Sequence, residues 1–176
     1  MFNYIAFLRG INVSGQKVIK MENLNQIFIS LGFVDIKTFI QSGNVVFSAK
    51  ESDPNLLSEV IEENLFIKLG YKVTVLLRTK QEVEILIKQN PFKKYDNLGD
   101  VKYYVTFLRK KPVMLPELPI ISPNKDIEVF KINNLDAFCI SHFVKGRFGF
   151  PNNYVEKVLG IPATTRNWTT VCKVIK

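Results

Sequence analysis

Tyr4-Ile5-Ala6-Phe7-Leu8-Arg9 returns one hundred residues later as Tyr104-Val105-Thr106-Phe107-Leu108-Arg109. Each run is built from aromatic and aliphatic residues, reads as a strand and ends on an arginine. The segments after the two runs share the same order of elements. The chain therefore reads as a duplication, and a duplication fixes which loops share an edge of the fold.

In the first copy, Gly10 to Lys17 is a loop punctuated by Gly10 and Gly15. Leu24, Ile27, Phe28 and Leu31 fall on one helical face, and Gly32 stops that helix. Val34, Ile36, Thr38 and Ile40 alternate over residues 33–41, Ser42-Gly43 turns the chain, and Val45-Val46-Phe47 returns it as a hairpin. Asp53 before Pro54 reads as an N-cap with proline at the first helical position. Leu57, Val60, Ile61 and Leu65 form the expected buried stripe, with Gly70 as the stop. A strand over 71–78 ends on Arg78. Residues 1–78 thus spell βαββαβ, the ferredoxin-like order.

Residues 79–100 read as a helix and linker. Thr79 and Glu82 form a capping box, and the helix runs until Asn90-Pro91 breaks it. Residues 101–176 read as a second, degenerate βαββα subdomain with a C-terminal helix. Four prolines (Pro112, Pro116, Pro119, Pro123) stiffen 111–125, and strands over 127–132 and 135–141 flank Asn133-Asn134, a pair suited to a tight turn. A short helix from Pro151 to Leu159 is closed by Gly160. A last helix is expected to begin near Thr164 or Thr165, with Trp168, Val171, Cys172 and Ile175 inward, and no clear fourth strand is legible in this half. The predicted fold is α+β: two tandem degenerate ferredoxin-like (βαββαβ) halves with antiparallel sheets and packed helices.

The chain has 176 residues, 47% of them hydrophobic and 23% charged, which are ordinary values for a globular protein. No run approaches the ~20 apolar residues of a membrane helix, and the Tyr4–Leu8 run lacks a basic leader, so the expected location is the cytoplasm, without a membrane partner. Cys139 and Cys172 are expected to be reduced there. The net charge is +8. It is uneven, because residues 143–176 carry Lys145, Arg147, Lys157, Arg166, Lys173 and Lys176 against Glu156 alone. Such a surface favours polyanions and anionic metabolites, although surplus lysine on an ordinary soluble surface explains it as well.

In a βαββαβ unit the end of the first strand and the second-to-third hairpin lie on one sheet edge. Arg9, Gly10, Asn12, Lys17 and Lys20 should therefore meet Gln41, Ser42, Gly43 and Asn44. Glycines let the backbone approach a ligand and arginine grips oxyanions, so a small anionic or phosphorylated ligand suits this set. The competing account makes the glycines turn formers and gives Arg9 an acid or backbone carbonyls as partners. Arg166 joins the candidates because a cation at a helix start opposes the helix dipole unless an anion or an acid meets it.

Other chemistry is thin. The spacing of Gly10 and Gly15 fits neither a Walker A loop nor a GxGxxG turn. His142 is the single histidine. Neither Ser42 nor Ser14 sits in a GxSxG turn, and Cys139 with His142 lacks partners at zinc spacing. No catalytic residue, metal or cofactor is assigned, and enzymatic turnover is left open, as is the oligomeric state. Two rival readings come from other classes. One is a basic nucleic-acid-binding module using the terminal third, although no RNP-like aromatic run is present. The other is a protein-interaction platform formed by the two halves.

The runs FLRGINVSGQKVIKM (7–21), LGF (31–33), TFIQSGNVVF (38–47) and ATTRNWTTV (163–171) together resemble the bacterial family called domain of unknown function (DUF) 1697. The resemblance spans nearly the whole chain. It implies a cytoplasmic-type bacterial protein of α+β architecture with no assigned biochemical role and no catalytic residues to carry over. Its motif positions here are Arg9, Gly10, Asn12, Lys20, Gln41, Ser42, Gly43, Asn44, Thr165, Arg166, Asn167 and Trp168.

Overall fold

A computed structural model of the chain describes residues 1–12, 18–39, 43–51, 53–95 and 98–176. The protein is α+β with antiparallel sheets and helices. It divides into two compact units, Met1–Ile85 with Val174–Lys176, and Leu86–Lys173.

The first unit contains β1 (Phe2–Leu8), α1 (Met21–Ser30), β2 (Val34–Phe39), β3 (Asn44–Ala49), α2 (Pro54–Leu69), β4 (Val75–Thr79) and the start of α3 (Lys80–Gln89). Its four strands lie in the order β2-β3-β1-β4, with every neighbouring pair antiparallel. The period of two along a strand sends Tyr4, Ala6 and Leu8 to one face with Val45, Phe47, Val75 and Leu77. There they meet Leu24, Ile27 and Phe28 of α1 and Leu57, Ile61 and Leu65 of α2. Burying each large apolar side chain contributes about 1.5–3 kcal/mol. Phe47 sits in the middle, its ring centroid 5.2 Å from that of Phe28 and 4.6 Å from that of Phe33. The alternate residues Ile5, Phe7 and Leu76 are buried as well.

The helix signals behave as their chemistry requires. Asp53 accepts a hydrogen bond from the Asn55 N–H at 2.8 Å, and Gly70 closes α2 at φ 77°. Glu82 accepts from the Thr79 N–H at 2.7 Å while the Thr79 hydroxyl accepts from the Glu82 N–H at 3.1 Å, a reciprocal capping box. Val60 departs from expectation: it is 44% exposed. Leu57, Ile61 and Leu65, with Ser58, form the inward face of α2, and Val60 is turned to the outside. At the sheet edge, Asp35 takes φ 53° beside a register shift between Val34 and Lys37, a bulge that blunts β2 as a template for further strands.

The second unit takes in the rest of α3, a single 3-10 turn at Lys93–Tyr95, then β5 (Val101–Leu108), β6 (Ile120–Ile121), β7 (Ile127–Asn133) and β8 (Asp136–Val144). After these come β9 (Arg147–Phe148), α4 (Asn152–Leu159), β10 (Ala163–Asn167) and α5 (Trp168–Val174). Its sheet order is β10-β5-β8-β7-β6, with β9 paired to β8. Tyr104, Leu108, Val129, Ala137 and Cys139 face Val155 of α4 in one core. The β7–β8 hairpin turns at Asn134-Leu135, one position beyond the expected Asn133-Asn134: Asn133 ends β7 opposite Asp136, and Asn134 takes φ 54°.

Three strands of this unit, β6, β9 and β10, are not in the sequence reading, and β10 stands where a helix start was expected. Thr164 and Thr165 are β-branched and fit a pleated strand, and they pair with Phe107 and Thr106 of β5. The capping chemistry lies further along: Asn167 accepts from the Thr169 N–H at 2.9 Å and the Thr169 hydroxyl at 2.7 Å. A threonine pair looks the same from sequence whether it caps a helix or fills a strand, and the partner strand decides. Val171 and Val174 of α5 are buried. No helix among the described residues is long and apolar enough to cross a membrane.

Candidate functional site

The end of β1 is held from both sides. The Leu8 N–H donates to the Gly43 carbonyl at 2.8 Å, and the Arg9 N–H donates to the Thr74 carbonyl at 2.8 Å. Arg9 therefore leaves the sheet between the β2–β3 hairpin and the entry to β4. Gly10 comes next, exposed, at φ 70°. Its left-handed backbone suits a glycine and redirects the chain immediately after the arginine.

Ile11 then turns inward and is 1% exposed. It lies against Gly43, where an added Cβ would stand 2.4 Å from Ile11 Cδ1 and 3.0 Å from Leu8 Cβ. Gly43 also takes φ 75°. The hairpin needs glycine here for two separate reasons: the backbone sign, and the room that Ile11 fills. This contact joins the Gly10–Asn12 segment to the hairpin.

The two candidate asparagines brace this edge. Asn12 Nδ2 donates to the Ile19 carbonyl at 3.0 Å and its Oδ1 accepts from the Ile19 N–H at 2.8 Å. One side-chain amide thus imitates a backbone pair and ties Asn12 to Ile19. Asn44 is fully buried, and its Nδ2 donates at 3.0 Å to the carbonyl of Phe39, the residue it pairs with across β2 and β3. Lys20 is exposed and stands at the N-cap of α1 without a side-chain capping bond. Arg9, Gly10, Asn12, Lys20, Gly43 and Asn44 are thereby brought to one edge of the first unit. Lys17, Gln41 and Ser42 lie outside the described residues.

Arg166 belongs to the other unit. It is a strand residue in β10, so the expected cation at a helix start does not exist. The side chain is 7% exposed, and Nη1 donates to Thr164 Oγ1 at 2.7 Å and to the Thr165 carbonyl at 3.0 Å. Burial pulls its guanidinium down to about 10, still charged at neutral pH. Around it runs a hydroxyl network: Thr106 Oγ1 and Thr165 Oγ1 lie 2.8 Å apart, and Thr165 donates to Asn152 Oδ1 at 3.2 Å.

The remaining reactive groups also fall in the second unit. Burial pushes the Cys139 thiol up to about 12, which leaves it protonated and unreactive at neutral pH. Cys172 is half-buried. His142 Nε2 lies 3.3 Å from Glu128 Oε2. Among the described residues, no group of three or more His, Cys, Asp or Glu is gathered to hold a metal ion. Sequence reasoning missed Ile11 and Thr74, which position Arg9 without contributing chemistry. Ile11 left a weak signal, as one of two apolar residues with Val13 between Gly10 and Lys17, whereas Thr74 acts through its carbonyl and left none.

A solved structure described as "The structure of conserved bacterial protein SP0830 from Streptococcus pneumoniae" is similar to this chain, with a TM-score of 0.68. The two are 21% identical, and the match covers 99% of this chain and 97% of that one. At that identity the likeness concerns the fold. No curated protein matches the chain. Residues 1–138 match the family described as "Protein of unknown function (DUF1697)", and with more than three quarters of its length matched the chain belongs to that family.

Proposed function

We propose that the first unit binds a small anionic or phosphorylated ligand at the edge formed by Arg9, Gly10 and Lys20 beside the Gly43 hairpin. The observation that carries this reading is the double clamp on β1, which fixes the Arg9 backbone between Gly43 and Thr74. The clamp sets where the Arg9 side chain starts on the sheet edge, and a guanidinium grips oxyanions through paired, charge-assisted N–H donors. Gly10 bares backbone next to it, and the ten-residue α1 starts directly after Lys20. Asn12 and Asn44 brace the site, so the ligand contacts fall to Arg9, Lys20 and the backbone.

Thermal-shift titration with inorganic phosphate, pyrophosphate and nucleoside monophosphates tests it. A ligand at about 100 times its Kd stabilises the native state by about 2.7 kcal/mol. Wild-type protein should gain a dose-dependent rise in Tm with at least one of these compounds. Arg9→Ala should lose that rise while keeping the Tm of the free protein. An Arg9→Ala variant that responds as wild type does would end the proposal.

The nucleic-acid reading that uses an open ferredoxin-like sheet face is less favoured. In the first unit Ile5 and Phe7 are both fully buried, and so are Val105 and Phe107 in the second. RNA-recognition motifs stack bases on exposed aromatics at such sheet positions.

We also infer that the two units are tandem ferredoxin-like copies, the second lacking its first helix. Matching positions support this. The strand order β2-β3-β1-β4 has its parallel in β7-β8-β5-β10. Leu108 N–H donates to the Leu135 carbonyl at 2.7 Å and Arg109 N–H to the Pro162 carbonyl at 2.9 Å, as Leu8 and Arg9 do to Gly43 and Thr74. Ile5 pairs with Arg78 where Val105 pairs with Arg166. Both arginines are buried, and both donate Nη1 to the carbonyl of the preceding residue.

A further inference from the structure

We propose that the β8–β9 hairpin is a stacking platform for single-stranded nucleic acid, in a different unit from the Arg9 edge. Phe143 pairs with Phe148 and Val144 with Arg147 across the hairpin. Lys145 and Gly146 turn it, at φ 50° and 81°. Positive φ at both turn residues is the geometry of a tight two-residue hairpin, whose twist matches its strands.

This short hairpin carries more aromatic surface than its own folding uses. Phe143 is 51% exposed and Phe150 58% exposed. The Phe143 and Phe148 rings lie 5.0 Å apart at 54°, and Phe150 rests edge-on against Tyr104 at 5.6 Å. Lys102 of β5 pairs with Ser141, two residues before Phe143 and on the same face, and its Nζ stands 4.3 Å over the Phe148 ring. Lys145 is exposed at the turn, and Arg147, paired with Val144, is exposed on the face opposite the Phe143 and Phe148 rings. No acid occurs from Ala137 to Phe150. The acids on the neighbouring strand segment are engaged: Glu128 faces His142, and Asp126 accepts from the Ser122 hydroxyl at 2.7 Å.

The platform is anchored. Ser141 donates its hydroxyl to the Gly149 carbonyl at 2.7 Å. A Cβ at Gly149 would stand 2.7 Å from Asp126 Oδ2 and 2.8 Å from Ile127, so the chain there lies flush against β7 and its approach. Exposed ring faces with interleaved cations, on a backbone that does not need to reorganise, are what unpaired bases and their phosphates recognise. A duplex keeps its bases stacked on each other and offers only phosphates to the same surface. An anionic bilayer fits less well, because the hairpin tip is Lys145-Gly146 and the rings lie behind it, so insertion would lead with charge.

Fluorescence anisotropy with a fluorescein-labelled oligouridylate of about twelve nucleotides tests this, since single-strand sites span about 4–16 nucleotides. An unlabelled duplex competitor and sedimentation with phosphatidylserine vesicles serve as the other arms. Phe143→Leu and Phe150→Leu keep apolar bulk for the hairpin and remove the ring face. Each should weaken oligonucleotide binding by about tenfold with an unchanged melting curve. Lys145→Ala should flatten the salt dependence, by about 0.7 in the log–log slope if it neutralises one phosphate. Leucine variants that bind as wild type does, a duplex that competes as well as the single strand, or binding to vesicles with none to the oligonucleotide would each overturn the proposal.

Discussion

The strands β1 and β5 have nearly the same sequence and end in the same pair of backbone hydrogen bonds, yet the chain takes a different course after each. Beyond Arg9 it passes Gly10, tucks Ile11 under the Gly43 turn and enters the ten-residue α1. Beyond Arg109 it exposes Lys110 and Lys111 and runs through a proline-rich connector to the two-residue β6. The turn facing Arg109 carries Leu135 where the turn facing Arg9 carries Gly43. A strand end is set by its ladder, which tolerates any side chain. A turn is set by what packs beneath it, and in the first unit an isoleucine fills that place.

The contrast between the two turns is most exposed to Gly43→Val. A β-branched residue at φ 75° is strained, and its Cβ overlaps the buried Ile11 and crowds Leu8. Backbone strain and overpacking together should cost about 4 kcal/mol, read as a lower urea midpoint at unchanged m. A loss below about 1 kcal/mol would mean that Ile11 moves aside freely and that the two turns are equivalent after all.

The paired arginines probe the likeness instead. Arg166→Ala leaves Thr164 and the Thr165 carbonyl short of a donor, and Arg78→Ala does the same to the Leu77 carbonyl. Each should cost about 3 kcal/mol in urea unfolding, with the two values close together. A large cost at one position and none at the other would show that the matched register hides unlike roles. The smallest effect is expected at Asn134→Gly. Asn134 already holds φ 54°, so backbone relief and lost chain stiffness nearly cancel, within about 0.5 kcal/mol by the same measurement.

Much of this was readable from local chemistry. The cap at Asp53, the box at Thr79 and Glu82, and the stops at Gly32 and Gly70 depend on residues a few positions apart and appear where their signals put them. The expected Asn133-Asn134 turn forms one position later, at Asn134-Leu135. Of the candidate site, the convergence of Arg9 with the Gly43 hairpin was legible because strand order derives from element order. The roles of Asn12 and Asn44 were not. An asparagine that closes a loop and one that binds a ligand look alike until the backbone atom opposite is known.

Residue order was enough to set where most elements begin and end, the repeat of strand and arginine, and the family, because those rest on neighbours along the chain. Contacts in the folded molecule made Thr164–Asn167 a strand, turned Val60 outward, buried Arg166 in a different unit from Arg9, and made Gly43 the place where Ile11 fits. Each of these depends on a partner far away in sequence. Burial and hydrogen bonding with such a partner outweigh the few tenths of a kcal/mol that separate local propensities.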